Sequence, residues 1–130
     1  MKPPKYKAKP QYIEGRRFAS GMEADRARIL QTWLAYGIIS ELEYQPRFLL
    51  QEAFRDNRGR LNRKIDYVAD FSYIEEGRSI IEDVKGMPTQ AYLLKAKLFR
   101  AKYPELVHKE IKNGKDMLTH KPKKRKGKTK

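Results

Sequence analysis

The sequence predicts a single α/β domain with a mixed, mostly antiparallel central sheet flanked by helices. Two segments show helical periodicity, and the sequence between them alternates apolar and polar residues as strands do. In chain order the predicted elements are α, β, β, β, α, β. A chain of 130 residues has room for one compact domain with one core.

The first predicted helix covers residues 20–36. Ser20 and Glu23 have the spacing of a capping box, and Gly37 can end the helix. The second covers residues 89–103, with Thr89 as its N-cap. The apolar stripes expected on these helices consist of Met22, Leu30, Trp33 and Leu34 on the first and of Leu94, Leu98 and Ala101 on the second.

The strands follow from period-2 alternation. The first covers residues 42–50, where Leu42, Tyr44, Phe48 and Leu50 alternate with polar neighbours. Pro46 requires an edge, a bulge or a break in this strand. Residues 51–64 are rich in Arg, Asn and Asp and are expected to form a solvated turn or mobile loop. A last short strand is expected at residues 106–111.

The clearest element is a β-hairpin of residues 65–85. If it turns symmetrically about the bond between Glu76 and Gly77, Asp70 lies directly opposite Asp83. Like charges placed opposite one another destabilise a sheet, and a divalent cation between them would remove this conflict. Lys85 projects from the same face, two residues beyond Asp83. This arrangement predicts a metal-assisted site for phosphodiester hydrolysis.

Two short segments of this hairpin, residues 67–71 (YVADF) and 81–86 (IEDVKG), together resemble the signature of the PD-(D/E)XK nucleases. The predicted order αβββαβ is similar to the restriction-endonuclease-like core of that superfamily. The resemblance is closest to small phage and prophage endonucleases related to Holliday-junction resolvases and transposon-end nucleases. It implies cleavage of DNA, branched or junction DNA among its substrates, that leaves a 5′-phosphate, and it implies a homodimer.

The resemblance also implies roles for individual residues. Asp70 would be the motif aspartate, Asp83 the second acid and Lys85 the lysine. Glu23 would supply a carboxylate from the first helix. The implied cofactor is Mg²⁺ or Mn²⁺, bound by these three carboxylates with the Val84 backbone carbonyl as a further ligand.

Some of these residues have a second interpretation. Glu82 could replace Asp83 as the ligand, although alternation points it to the opposite face, opposite Phe71. The capping box explains Glu23 without any metal. Ala69 stands where the written motif has proline. Four further residues are interpreted as packing or surface residues and not as catalytic groups: Gln45, Asp66, Tyr92 and His108.

The net charge of +14 predicts a polyanionic partner. Residues 2–9 supply +4 and residues 120–130 supply +7, which leaves +3 for the middle of the chain. We expect a basic tail over residues 1–14, a nuclease domain over 15–118 and a disordered Lys-rich tail over 119–130. The residues expected to bind DNA are Arg55, Arg58, Arg60, Arg63, Lys123, Lys124, Arg125 and Lys126.

The composition excludes other classes of protein. There is no cysteine, so disulfide bonds and cysteine-ligated zinc sites are impossible. No apolar run approaches the ~20 residues that span a bilayer, and the N-terminal sequence is unlike a signal peptide. We expect a cytoplasmic protein of a bacterial host that carries a phage or prophage.

Two alternatives to the nuclease function stay open: a non-catalytic nucleic-acid-binding protein, and a nuclease-like fold recruited as a regulator.

Overall fold

The structure is a computed structural model that describes residues 11–13, 16–18 and 21–112. The predicted Ser20 cap and the four basic residues 123–126 lie outside these ranges. The elements of the described chain are β1 (Gln11–Ile13), β2 (Arg16–Phe18), α1 (Gly21–Ala35), β3 (Ser40–Tyr44), β4 (Arg47–Gln51), β5 (Phe54–Arg55), β6 (Leu61–Asn62), β7 (Ile65–Val68), β8 (Phe71–Glu75), β9 (Arg78–Val84), α2 (Gln90–Lys102) and β10 (Val107–Ile111).

The largest sheet has four strands in the order β10-β9-β8-β3. β9 and β10 are parallel, whereas the β8–β9 and β3–β8 pairs are antiparallel. The α/β class, with a mixed and mostly antiparallel sheet and two helices, is therefore confirmed. The two helices and the strands of this sheet occur along the chain as α1, β3, β8, β9, α2 and β10, which is the predicted order. The antiparallel pairs β4–β7 and β5–β6 lie between β3 and β8 in the chain, and the β1–β2 pair precedes α1.

The two helices cover opposite faces of the sheet. Ile80 of β9 belongs to the apolar cluster of α1, together with Leu30. The next residue, Ile81, belongs to the cluster of α2, together with Phe99. Because consecutive residues of a strand point to opposite faces, the sheet lies between α1 and α2.

The end of α1 and the start of α2 follow the predicted caps. Gly37 adopts φ +77 just after α1, a conformation that glycine reaches without strain. The Ile38 amide bonds the Trp33 carbonyl at 2.8 Å, which closes the helix end. At the start of α2 the Thr89 hydroxyl accepts a hydrogen bond from the Tyr92 amide at 3.0 Å.

The predicted apolar stripe of α2 was wrong. Leu94 and Leu98 are 59% and 43% exposed, whereas Tyr92, Ala96 and Phe99 are buried. Both sets have helical spacing, and the set with two large aromatic rings is the one that packs on the sheet. Leu34 of α1 is likewise 41% exposed.

The β8–β9 hairpin has the predicted turn. Glu75 pairs with Arg78, and the two residues between them, Glu76 and Gly77, have φ of 51 and 76. Two successive residues with positive φ are what a tight two-residue hairpin turn requires. The predicted turn and its register along β8 and β9 are confirmed.

Two predicted strands are each interrupted. The strand predicted over residues 42–50 breaks at Gln45 and Pro46 into β3 and β4, and β7 and β8 are separated by Ala69 and Asp70. The breaks are bonded to each other: the Gln45 amide donates to the Asp70 carbonyl at 2.9 Å, and the Ala69 amide to the Pro46 carbonyl at 3.0 Å. The prediction of one continuous strand through Asp70 was therefore wrong.

A buried ion pair joins α1 to β9. The Arg26 guanidinium donates to both oxygens of Glu82, at 2.8 and 2.6 Å, and both side chains are fully buried. The Tyr73 hydroxyl donates to the same carboxylate. Burial alone would lower the pKa of Arg26, but the hydrogen bonds and charge of Glu82 outweigh burial and raise it. The interpretation that Glu82 faces away from Asp83, opposite Phe71, is confirmed.

Breaking this ion pair should strongly destabilise the fold. We expect Glu82→Ala to lower the free energy of unfolding by about 3–5 kcal/mol, because it removes the buried carboxylate that accepts two hydrogen bonds from the Arg26 guanidinium. The triple variant Arg26→Met, Tyr73→Phe, Glu82→Leu replaces all three hydrogen-bonded side chains with apolar ones and should recover most of that loss. Urea unfolding followed by the fluorescence of Trp33 measures both. A triple variant no more stable than Glu82→Ala would contradict this explanation.

Candidate functional site

Asp83 lies at the end of β9 on the α2 side of the sheet and is fully buried. Its contacts are long: Oδ1 is 3.7 Å from Lys85 Nζ, and Oδ2 is 3.5 Å from His108 Nε2. Oδ1 has no hydrogen-bond partner within residues 21–112. A buried carboxylate normally has close hydrogen bonds or ion pairs that offset its lost hydration. Asp83 is therefore poorly compensated and well suited to bind a cation.

Asp70 lies in the break between β7 and β8. The regular ladder ends at the pair Phe71 and Glu82, and the Asp70 amide donates to the Glu82 carbonyl at 3.0 Å. The predicted direct pairing with Asp83 was therefore wrong, because the break shifts Asp70 out of register. Irregularities of this kind commonly re-aim a side chain.

The Asp70 side chain instead points to the end of β9. Its Oδ2 accepts a hydrogen bond from the Val84 amide at 2.7 Å. Burial raises the pKa of Asp70, against the opposing effects of the Val84 amide and the Lys85 charge. Asp70 and Asp83 are thus both placed around the last residues of β9, although by different geometry from that predicted.

Lys85 follows β9 and supplies a positive charge between Asp83 and solvent. Its amide bonds the Ile111 carbonyl at 2.9 Å, which fixes its backbone beside β10. Its ammonium lies 3.7 Å from Asp83 Oδ1 and 4.6 Å from the centre of the Tyr92 ring. The side chain is 30% exposed, so the charge can reach a bound anion.

Glu23 is buried in the first turn of α1. A Cβ atom at Gly86 would lie 4.0 Å from Met22 Sδ, so this first turn is close to the residues that follow β9. Nevertheless, no three His, Asp or Glu side chains in the described ranges are close enough together to hold a metal. The structure therefore does not bring Glu23 together with Asp70 and Asp83 as the three-carboxylate set that was predicted.

His108 was interpreted from the sequence as a surface residue, and this was wrong. Its side chain is only 3% exposed and lies next to Asp83. Arg100 Nη1, which can only donate, is 2.9 Å from His108 Nδ1, so Nδ1 must accept and Nε2 must carry the proton. Nε2 in turn lies 2.8 Å from the Tyr67 hydroxyl. The sequence carries no local signal for this burial, which depends on the parallel pairing of β10 with β9.

Glu110 is the register partner of Asp83 on β10, and the two acids differ in their environment. The Tyr92 hydroxyl donates to Glu110 Oε2 at 2.6 Å, and Lys112 Nζ is 3.5 Å from Oε1. The hydrogen bond from Tyr92 lowers the pKa of Glu110. Burial, together with Glu110 and Asp83, raises the pKa of Tyr92. Glu110 is therefore well compensated, whereas Asp83 is not.

The other candidates lie away from this cluster. Asp66 forms ion pairs with Arg47 at 3.2 Å and Lys64 at 3.5 Å, so it has a structural role, and Gln45 is exposed. The predicted DNA-binding residues Arg55, Arg58 and Arg60 lie on the exposed β5–β6 hairpin, and Arg63 follows it.

Residues 3–119 match the family described as "Protein of unknown function (DUF1064)". Because the match covers most of the chain, this protein belongs to that family. No curated protein matches the sequence. Among the described residues there is no helix long and apolar enough to cross a membrane.

Replacing Tyr92 with Phe should destabilise the protein in a pH-dependent way. The pKa of Glu110 is lowered in the folded state, so its contribution to stability is present above the ordinary pKa of Glu and is lost as the pH falls through the folded value. We expect Tyr92→Phe to cost about 1 kcal/mol at neutral pH, and less once Glu110 is protonated in both proteins. Urea unfolding across the acid range measures this difference. A cost independent of pH would contradict the assignment of the hydrogen bond.

Proposed function

We propose that this member of the DUF1064 family is a metal-dependent endodeoxyribonuclease of the PD-(D/E)XK type with a restriction-endonuclease-like core. One observation carries the proposal. The fully buried Asp83 carboxylate has no close hydrogen bond within residues 21–112, and it lies beside Lys85 at the strand end that also receives Asp70.

The residues at the end of β9 fit a hard divalent cation. Mg²⁺ is usually bound through one or two carboxylates, with waters and substrate phosphates completing its octahedral coordination. Asp70 and Asp83 supply two carboxylates, and the Val84 carbonyl is the proposed third ligand. When bound, Mg²⁺ or Mn²⁺ supplies charge that activates water and polarises the scissile phosphate.

Lys85 is the proposed electrostatic group of the reaction. Its ammonium orients the attacking water or stabilises the negative charge that develops on the phosphate. The Tyr92 ring and Asp83 hold this ammonium at the boundary with solvent. Because the ammonium is already in place, the surrounding groups need little reorganisation when the reaction occurs.

Glu23 is a proposed contributor of a different kind. It lies at the same end of the molecule as the other groups, because the first turn of α1 is close to Gly86. Direct ligation by Glu23 requires its side chain to move, since no group of three potential ligands is formed within the described residues. Its proposed role is therefore to bind the cation only in the complex with substrate.

The proposed substrate is DNA. The charge of +14 supports binding to phosphates, and the sequence resemblance supports branched or junction DNA and a homodimer. The same charge also supports the second candidate function, a nucleic-acid-binding protein without catalysis. That alternative does not account for the burial of the poorly compensated Asp83 carboxylate.

Cleavage of plasmid and synthetic four-way-junction DNA in Mg²⁺, Mn²⁺ or EDTA tests the proposal. We expect cleavage by the wild type only with metal, and a loss of about a hundredfold or more in Asp83→Asn, because one ligand is removed. Glu110→Gln is the matched control, because it makes the same acid-to-amide change at the residue that pairs with Asp83 on β10. This control variant should cleave DNA as well as the wild type. Folded wild-type protein that binds DNA but does not cut it under any condition would favour the non-catalytic alternative.

A further inference from the structure

Residues 52–64, here called the arm, form a short antiparallel hairpin of β5 and β6 with the register Phe54↔Asn62 and Arg55↔Leu61. This segment was expected to be a solvated turn or mobile loop, so the prediction missed its strand pairing. Nearly all of its residues are exposed. The strands that lead into the arm are anchored to the residue that follows α2, because the Tyr103 hydroxyl donates to the Leu49 carbonyl at 2.8 Å.

The turn of the arm is held by Asp56. Its Oδ1 accepts hydrogen bonds from the amides of Arg58 and Arg60, both at 3.0 Å. Gly59 adopts φ +79, and its amide donates to the Asp56 carbonyl at 2.8 Å. The hydrogen bonds from the Arg60 and Arg58 amides lower the pKa of the Asp56 carboxyl. The arm is therefore a preformed turn, which reduces the entropy lost when it binds a partner.

The four arginines of this region fall into two pairs. Arg55 Nη1 donates to the Gly59 carbonyl at 2.9 Å, and Arg60 Nε lies 3.7 Å from Asp56 Oδ2. These two side chains thus support the turn. The guanidinium groups of Arg58 and Arg63 make no hydrogen bond or ion pair with other described residues. Their charges are available to an external anion.

We propose that the arm binds the groove of a DNA duplex, with Arg58 and Arg63 contacting phosphates while Arg55 and Arg60 maintain the turn. A two-stranded ribbon fits the B-DNA major groove, which is about 12 Å wide, whereas the major groove of A-form RNA is too narrow for side chains to read. Phe54 and Leu61, 44% and 55% exposed, lie on opposite faces of the ribbon, so whichever face enters the groove supplies one apolar contact to base edges such as the thymine methyl group.

The position of the arm sets where it touches the duplex. The arm extends from the β4–β7 pair, which begins at the break beside Asp70. Fully extended strands from Arg47 to Arg58 would span at most about 35 Å, or about ten base pairs. The arm therefore contacts DNA within about ten base pairs of the proposed cleavage point. This inference rests on the nucleic-acid binding in the proposed function and not on its catalysis.

The test is a fluorescence-anisotropy titration in EDTA over a series of salt concentrations, using a labelled DNA duplex and the RNA duplex of the same sequence. We expect Arg58→Ala/Arg63→Ala to bind the DNA duplex about tenfold more weakly or worse. The slope of log K against log salt should fall by about 2, because two phosphate contacts are lost. The matched control is Arg78→Ala/Lys97→Ala, which removes two exposed charges outside the arm and should leave the slope unchanged.

Three outcomes would overturn the inference. The first is an arm variant that binds DNA as tightly as the wild type. The second is an arm variant that loses no more affinity than the control variant. The third is a wild type that binds the RNA duplex as tightly as the DNA duplex. Urea unfolding checks that both double variants are folded. Cleavage by the wild type in Mg²⁺ is measured separately. A wild type that never cuts DNA but depends on the arm for binding would refute the nuclease proposal and leave the arm inference intact.

Discussion

The bidentate ion pair between Arg26 and Glu82 is the constraint on which the geometry of this protein depends. It fixes α1 against one face of β9, with both side chains fully buried. Because the side chains of a strand alternate between faces, Asp83 must then point to the α2 side, where Lys85 follows it. The position of the candidate site is thus a consequence of how α1 is attached to the sheet.

Three acidic side chains on β9 and β10 show how charge is distributed around this site. Glu82 has a guanidinium and a hydroxyl as partners, and Glu110 has the Tyr92 hydroxyl and an ammonium. Asp83 has only two contacts of 3.5 Å or more. A protein gains no stability by burying such a carboxylate, and this burial is the observation on which the proposed function rests.

Features that obey local rules could be predicted from the sequence. The turn at Glu76 and Gly77, the Gly37 end of α1, the Thr89 cap of α2 and the opposite orientation of Glu82 and Asp83 depend only on neighbouring residues. The break at Asp70 could not be predicted, because it is matched to a break at Pro46 on another strand and depends on how the two strands pair. His108 was missed for a similar reason, since its burial depends on the register of β10 beside β9.

Two other patterns each had two solutions. In α2, two apolar stripes have the same helical spacing, and only packing against the sheet decides which one is buried. For Glu23, the sequence offered a capping box and a metal ligand as alternatives. The structure places the first turn of α1, which contains this residue, close to Gly86, but within the described ranges it does not group Glu23 with the two aspartates.

The most direct test of the central claim is the stability of wild type and Asp83→Asn, measured by urea unfolding with and without Mn²⁺. Without metal, the account predicts that Asp83→Asn is the more stable protein by about 1 kcal/mol, because a poorly compensated buried charge is removed. At a Mn²⁺ concentration about a hundredfold above its Kd, the wild type should gain about 2.7 kcal/mol and become the more stable of the two. Equal gains in both proteins, or no gain in the wild type, would contradict a metal site at Asp83.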